Sequence, residues 1–438
     1  MAPHPSFRHV PERAWNTSRR QFLRKISAAM AAPGFTGLLE VFAARLSAIG
    51  QTDDEGFWQL IREQFAIRSG FTLMNAANLC PSPFPVSDAV VRHTRDIDGD
   101  ASFQNRAKFD DMYERASESL AHYMGADADE VVITRNTTEG NNVVVSGTDL
   151  RPGDEVVLWD QNHPSNNVSW DVQAQRRGFT VTRVATPVDP KSPDDCIAPF
   201  AEALTERTRV LSFSHVSNVS GVALPAKELC AIARERGILT LVDGAQTFGS
   251  HVVDLHDLGC DCYTGSAHKW FLGPKEGGIL YVRRERAEEI WPLIVGVAWE
   301  ERHALGARRF SSLGQRDDAN HAAVGRTVEF LETVGNVAIE ARVRSLATAL
   351  KTAVAERIPE AEILTPMAPA FSGGVVMFTV PGADLQAAFG RLYTDYQVGC
   401  ALMGTENEKQ YLRFCPHIYN SMDEVDRVVD AVRSLVRS

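Results

Sequence analysis

The residues best able to do chemistry in this chain close two consecutive apolar runs. Leu241-Val242-Asp243-Gly244-Ala245-Gln246 ends one run on a carboxylate, and Ser266-Ala267-His268-Lys269 ends the next on a hydroxyl, an imidazole and an amine. A carboxylate so placed would keep a ring nitrogen protonated, a lysine would condense with an aldehyde as a Schiff base, and Ser266 with His268 would hold a phosphate. Those three requirements together describe a site for pyridoxal 5′-phosphate (PLP). Taken alone, each half is ordinary, because Asp after a strand is a common helix cap and a His-Lys pair is a common solvated surface. Their value lies in the combination, and the other strand ends provide a test of it.

Positioning such a site calls for a sheet. From about residue 130 to 282 short apolar runs alternate with amphipathic helical segments, the pattern of a mostly parallel sheet covered on both faces. Seven runs are expected as strands: 130–134, 155–159, 180–184, 210–214, 239–243, 262–266 and 278–282. Ligands bind beyond the carboxyl ends of such strands. Those ends are polar here: residues 135–142 after the first, Asn162-His163 after the second, Ser217-Asn218 after the fourth, Asp243 and Gln246 after the fifth, Ser266 to Lys269 after the sixth. The third end, near 185–187, is blank. Thr137 and Thr138 fall where a helix would begin, so they could hold a phosphate in the positive end of its dipole; a plain N-cap is the bland reading, and the two are compatible. Beyond 282 the pattern turns to helices near 341–357 and 422–436 with sparser strands near 374–380 and 411–415, which reads as a smaller α+β domain.

With 438 residues, two packed units are expected, and a formal charge of −11 argues against a general nucleic-acid binder. The first fifty residues break that balance, with Arg8, Arg13, Arg19, Arg20, Arg24, Lys25 and Arg45 against Glu12 and Glu40. Within them Ser18-Arg19-Arg20-Gln21-Phe22-Leu23-Arg24 resembles a twin-arginine export signal, followed by a mildly apolar stretch that Pro33 and Glu40 interrupt. That resemblance implies export through the twin-arginine machinery and a periplasmic location without a stable membrane anchor; the alternative is a basic amphipathic helix on a cytoplasmic protein. Seven cysteines in an odd, unpatterned set predict neither a disulfide framework nor a metal site.

The order of motifs from Asn75 to Arg413 resembles the class V aminotransferase-fold group of PLP enzymes, which includes cysteine desulfurases and isopenicillin N epimerase-like proteins. The resemblance implies an α/β PLP-dependent transferase of fold type I, with a large domain built on a mostly parallel seven-stranded sheet and a smaller α+β C-terminal domain. The expected division is a leader at 1–50, an N-terminal segment packing on the small domain at 51–74, a large PLP-binding domain at 75–320 and a small domain at 321–438. It implies Lys269, His163 and Asp243 as catalytic residues, His163 lying on the cofactor ring. Thr137, Thr138, Asn218, Gln246, Ser266 and His268 would complete the cofactor shell. Gly314-Gln315-Arg316-Asp317 resembles a loop that such proteins lend to the neighbouring subunit's phosphate, with Gln315 in place of the usual Thr, which implies a homodimer with composite active sites. Arg413, in Tyr411-Leu412-Arg413-Phe414, would grip a substrate carboxylate as a bidentate fork, with Asn78 also near the substrate.

The expected activity is chemistry at the α-carbon of an amino acid or an amino-acid-containing metabolite. Transamination or side-chain tailoring comes first, C–S lyase or cysteine desulfurase chemistry with Cys400 as the thiol second, and epimerisation third. A catalytically silent binding module on the same fold is the reading from a different class.

Overall fold

The computed structural model describes residues 42–46, 55–297, 299–405 and 408–437 of the chain. The twin-arginine run at 18–24 lies outside them. Seven strands, β2 (Val131–Thr134), β3 (Glu155–Trp159), β4 (Thr180–Val184), β5 (Thr208–Ser214), β6 (Leu239–Asp243), β7 (Cys262–Ser266) and β8 (Gly278–Val282), form one sheet in the order β2-β8-β7-β6-β5-β3-β4; β1 (Thr72–Leu73) precedes them. From β4 to β7 every pairing is parallel, while β8 is antiparallel to both β7 and β2. Strand β2 therefore points the same way as β7, and its carboxyl end opens on the same edge as theirs.

These sequences become strands because β3, β6 and β8 are mainly β-branched and other apolar side chains buried at every position, as a sheet covered on both faces requires, with Glu155 and Asp243 as buried carboxylates at strand ends. At the edge, β4 is exposed or half-buried at every position but Val184 and presents Arg183, paired with Asp171 at 2.6 Å, which blunts the edge against further pairing. The covering helices are α4 (Thr137–Gly147), α5 (Pro164–Arg177), α6 (Pro193–Ala203) and α7 (Ala226–Glu235). They follow α1 (Glu55–Arg62), α2 (Phe84–Gly99) and α3 (Phe103–Tyr123), the last two packed on α8 (Asp318–Val334). Helix α5 shows why the segment starts and stops where it does: His163 caps its first turn, Pro164 occupies N1, and Gly178 closes it in the left-handed conformation at φ 82°.

A second core surrounds a four-stranded antiparallel sheet, β12 (Ala401–Met403), β13 (Tyr411–Phe414), β10 (Val376–Thr379) and β9 (Glu362–Ile363), together with α9 (Asn336–Arg357), α10 (Leu385–Thr394) and α11 (Met422–Val436). The N-terminal segment is stitched to this part of the molecule. β1 pairs in parallel with β11 (Val398–Gly399), Arg62 meets Glu424 at 2.9 Å, and Glu55 meets Arg342 at 2.6 Å. Residues 42–46 are helical, with the Phe42 ring stacked on Phe330 at 5.5 Å and Phe42 and Leu46 both buried. Part of the stretch expected as leader is thus packed into the main core.

The mostly parallel seven-stranded sheet with a smaller C-terminal α+β unit is the architecture that the sequence implies. Five strands begin and end at the expected residues. β5 starts two residues early at Thr208, because Thr208 donates its hydroxyl to the buried Glu155 carboxylate at 2.9 Å, a long-range partner with no signature in the local pattern.

Candidate active site

The carboxyl edge of the sheet holds a cavity of about 240 Å³ lined by Asn78, Asn136, Thr137, Thr138, His163, Ser165, Asp243, Ala245, Ser266, His268 and Lys269. Eight of the twelve residues expected in the site, drawn from five separate chain segments, therefore converge on one space.

At one end lies the start of α4. Asn136 caps it, its side-chain oxygen accepting from Glu139 N at 3.0 Å. Ser266 Oγ accepts from Thr137 N at 2.9 Å and shares a hydrogen bond with Thr137 Oγ1 at 2.7 Å, which pins β7 to the helix start. The first-turn amides and the helix dipole make this end favourable for an anion. His268 adds to it. Its Nδ1 is buried with no hydrogen-bond partner, and burial with the adjacent Lys269 cation pushes the ring down to about 4, so it is a neutral group.

Asp243 sits at the other end, 3% exposed. Its Oδ2 accepts from Asn141 Nδ2 at 2.9 Å and its Oδ1 from Ala245 N at 3.0 Å. Asn141 is held in turn by Thr264 Oγ1, which donates to Asn141 Oδ1 at 2.7 Å. Two neutral donors orient this carboxylate without discharging it, which leaves its charge for a cationic partner in the cavity. Asn141 is a functional residue that the sequence reading passed over. Its signal was a polar side chain one helical turn after Thr137, on the same face of the helix.

His163 and Lys269 lie between the two ends. His163 Nδ1 accepts from Ser165 N at 3.2 Å, placing the ring proton on Nε2, and burial followed by the Lys269 charge lowers its pKa. Burial likewise pulls the Lys269 ammonium below the usual lysine range; Asp243 partly reverses the fall and Arg413 adds to it. The consequence is a larger fraction of free amine near neutral pH, as a nucleophile or base requires.

Four expected residues lie outside the cavity lining. Gln246 is buried behind Ala245, its oxygen accepting from Trp270 Nε1 at 2.7 Å and its amide donating to Ala77 O at 3.3 Å. Gln315 is on the surface, accepting from Arg106 Nη2 at 2.6 Å, away from the cavity of its own chain. Asn218 is buried with its Oδ1 unpartnered. Arg413 projects from β13 and donates from Nη1 to Asn218 O at 3.1 Å. Arg413 is 6% exposed, its Nε has no partner, and it meets no carboxylate among the described residues.

Cys400 does not meet the requirement for a sulfur relay. It is buried, and burial pushes its thiol up to about 12, the reverse of an exposed low-pKa thiolate.

The residues present fit PLP, as judged by the unpartnered His268 Nδ1 beside a helix start at one end and the oriented Asp243 carboxylate at the other. Comparison with known proteins agrees. The Aminotransferase class-V profile matches residues 76–428. The chain is 32% identical to an isopenicillin N epimerase of Amycolatopsis lactamdurans over 86% of this chain and 98% of that protein. It is 33% identical to a probable cysteine desulfurase 2 of Mycobacterium leprae (strain TN), over 74% of this chain and 80% of the relative. Among solved structures, a C-DES lysine mutant with glycine covalently linked to the PLP cofactor superposes with a TM-score of 0.78 at 23% identity, covering 85% of this chain and 99% of that one. The chain belongs to the class-V aminotransferase family and is a PLP-dependent enzyme.

Proposed function

We infer that the enzyme changes bonds at the α-carbon of an amino acid or amino-acid-containing metabolite by moving a proton. The observation that carries this reading is Arg413, a buried guanidinium without a carboxylate partner among the described residues, held by a backbone carbonyl beside Lys269. Removing a cation from water without pairing it is costly. A carboxylate-bearing substrate would offset that cost and account for the arrangement.

PLP supplies a cationic ring that accepts the electron pair left when an α-carbon bond breaks. Asp243, fixed by Asn141 and Ala245, would keep that ring nitrogen charged. Lys269 would anchor PLP and, as a free amine, would serve as the base that takes or returns the proton at the α-carbon. Neutral His163 would face the ring, and Thr137, Thr138, Ser266 and His268 would hold the phosphate. Transamination needs one lysine serving two carbons, so it remains the first expectation; epimerisation, in keeping with the name of one relative, also fits proton transfer. Sulfur transfer through Cys400 is disfavoured by the burial of that thiol.

Purified protein should be yellow, lose the colour in Lys269→Ala, and bind amino acids about 100-fold more weakly in Arg413→Lys if the bidentate contact supplies about 2–3 kcal/mol. A colourless protein that takes up no PLP would favour the silent binding module. Sulfide release from cysteine that vanishes in Cys400→Ser would overturn the proton-transfer reading.

The apolar side chains of Trp291, Leu293, Ile294 and Val295 stand exposed in sequence, and Gln315 lines a surface hollow with Ile294 rather than the cavity of its own chain, which suits a second subunit covering this face. Val295→Glu should convert a dimer to a monomer in sedimentation; a wild-type chain that sediments as a monomer would count against composite sites. The run Ser18 to Arg24 supports twin-arginine export to the periplasm. Replacing Arg19 and Arg20 by lysine should retain the protein in the cytoplasm, and unchanged fractionation would end that idea.

A further inference from the structure

Helix α9 carries two cations seven residues apart on one face, Arg344 and Lys351, and neither lines the cavity. Lys351 is 1% exposed. Its ammonium has no carboxylate partner among the described residues and donates to Pro366 O at 2.6 Å, Met367 O at 3.3 Å and Ser372 Oγ at 2.8 Å. Arg344 donates from Nη1 to Pro369 O at 2.9 Å and Ser372 O at 2.7 Å, with its Nε on Glu340. Burying an ammonium among neutral acceptors is costly, and burial pulls Lys351 down to about 8. What the two cations hold is the segment 365–374.

That segment packs against two stretches of chain that adjoin site residues. On one side Ser372 bridges Val222, and Phe371 O accepts from Ala223 N at 2.9 Å, so it lies against the loop 217–223. The same loop presents Asn218, whose carbonyl anchors Arg413. On the other side Gly374 is wedged against the residue following Lys269: a Cβ there would stand 2.5 Å from Trp270 Cη2 and 2.6 Å from Val343 Cγ1.

We propose that Arg344 and Lys351 are positioning residues: by gripping the strap 365–374 they seat the Asn218 loop against Arg413 and so set the affinity for the substrate carboxylate without touching it. The proposal rests on Arg413 as the carboxylate grip. No residue of the strap lines the cavity, so substrate affinity should change while PLP retention should not.

Glycine is a suitable probe because it offers only the amine and the carboxylate. In PLP-loaded Lys351→Met, glycine titrated against the cofactor absorption band should bind about tenfold more weakly, and amides 217–223 should exchange hydrogen about tenfold faster, each tenfold corresponding to one lost charged hydrogen bond. Lys351→Arg, which keeps the charge and donors, should recover most of both. Should Lys351→Met fail to fold, Arg344→Gln carries the same expectations. Wild-type exchange in these variants, or faster exchange with unchanged glycine affinity, overturns the proposal. An Arg413→Lys variant with wild-type glycine affinity sinks the carboxylate reading and this inference with it. Weak binding in Arg413→Lys beside wild-type binding in Lys351→Met sinks only this inference.

Discussion

At the scale of single residues, the site depends on how Asp243 is held. Its two oxygens have separate donors, Asn141 Nδ2 and Ala245 N, and only the first is a side chain that substitution can remove. Asn141→Ala is expected to weaken PLP retention on the order of 10- to 100-fold, the equivalent of about 1–3 kcal/mol for a buried hydrogen bond to a charged group. Equilibrium dialysis of PLP against the reduced-and-refolded apoprotein measures this, and wild-type affinity would show that Ala245 N suffices. Asp243, His268 and Lys269 were legible in the sequence because each ends an apolar run where a ligand edge must be. Asn141 was only half legible: its spacing from Thr137 put it on the same helix face, but its pairing with Asp243 lies across the fold. The same holds for Arg413: an Arg within an apolar strand was visible, but its contact with the Asn218 carbonyl depends on how the two sheets meet.

At the scale of elements, α4 is held close enough to β7 that a methyl group matters. A Cβ on Gly140 would lie 2.8 Å from Thr264 Cγ2 and 3.3 Å from Thr264 Cβ. Alanine improves helix propensity by about 1 kcal/mol, yet the clash against a strand side chain costs about 1–3 kcal/mol, so packing should win and the Gly140→Ala melting point should fall. Adding Thr264→Ser removes the clashing methyl and keeps the hydroxyl that holds Asn141; the double variant should regain most of the loss. No recovery would mean that the strain lies elsewhere. Element boundaries were legible where runs are buried on both faces, as in β3, β6 and β8, because uninterrupted apolar sequence bounded by turn residues has few other readings. The two- and three-residue strands β1, β9, β11 and β12 escaped, since so short a segment has no period to detect and is defined only by its partner.

At the scale of the whole molecule, buried neutral histidines set the acid limit. His417 donates from Nε2 to Trp270 O at 2.9 Å and accepts at Nδ1 from Ile418 N at 2.7 Å, so protonation would break the second bond. Burial lowers both His417 and His215 from 6.5 to about 4. The unfolded chain therefore binds more protons than the folded one between those values. Stability is full above about pH 6.5 and is lost as pH falls towards 4, by up to about 3 kcal/mol per histidine. Urea midpoints measured at pH 7 and 4.5 should differ accordingly, and His417→Gln should flatten part of the slope; a pH-independent midpoint would contradict the account. Sulfur behaves in a parallel way. All seven cysteines are free and buried, and burial raises each thiol above its usual 9.0. Native protein should thus look inert to a colorimetric disulfide reagent and release its full complement of sulfhydryls only on denaturation, a built-in clock for unfolding. Refolding from denaturant will need a reductant, because scrambled crosslinks can form only while the interior is open.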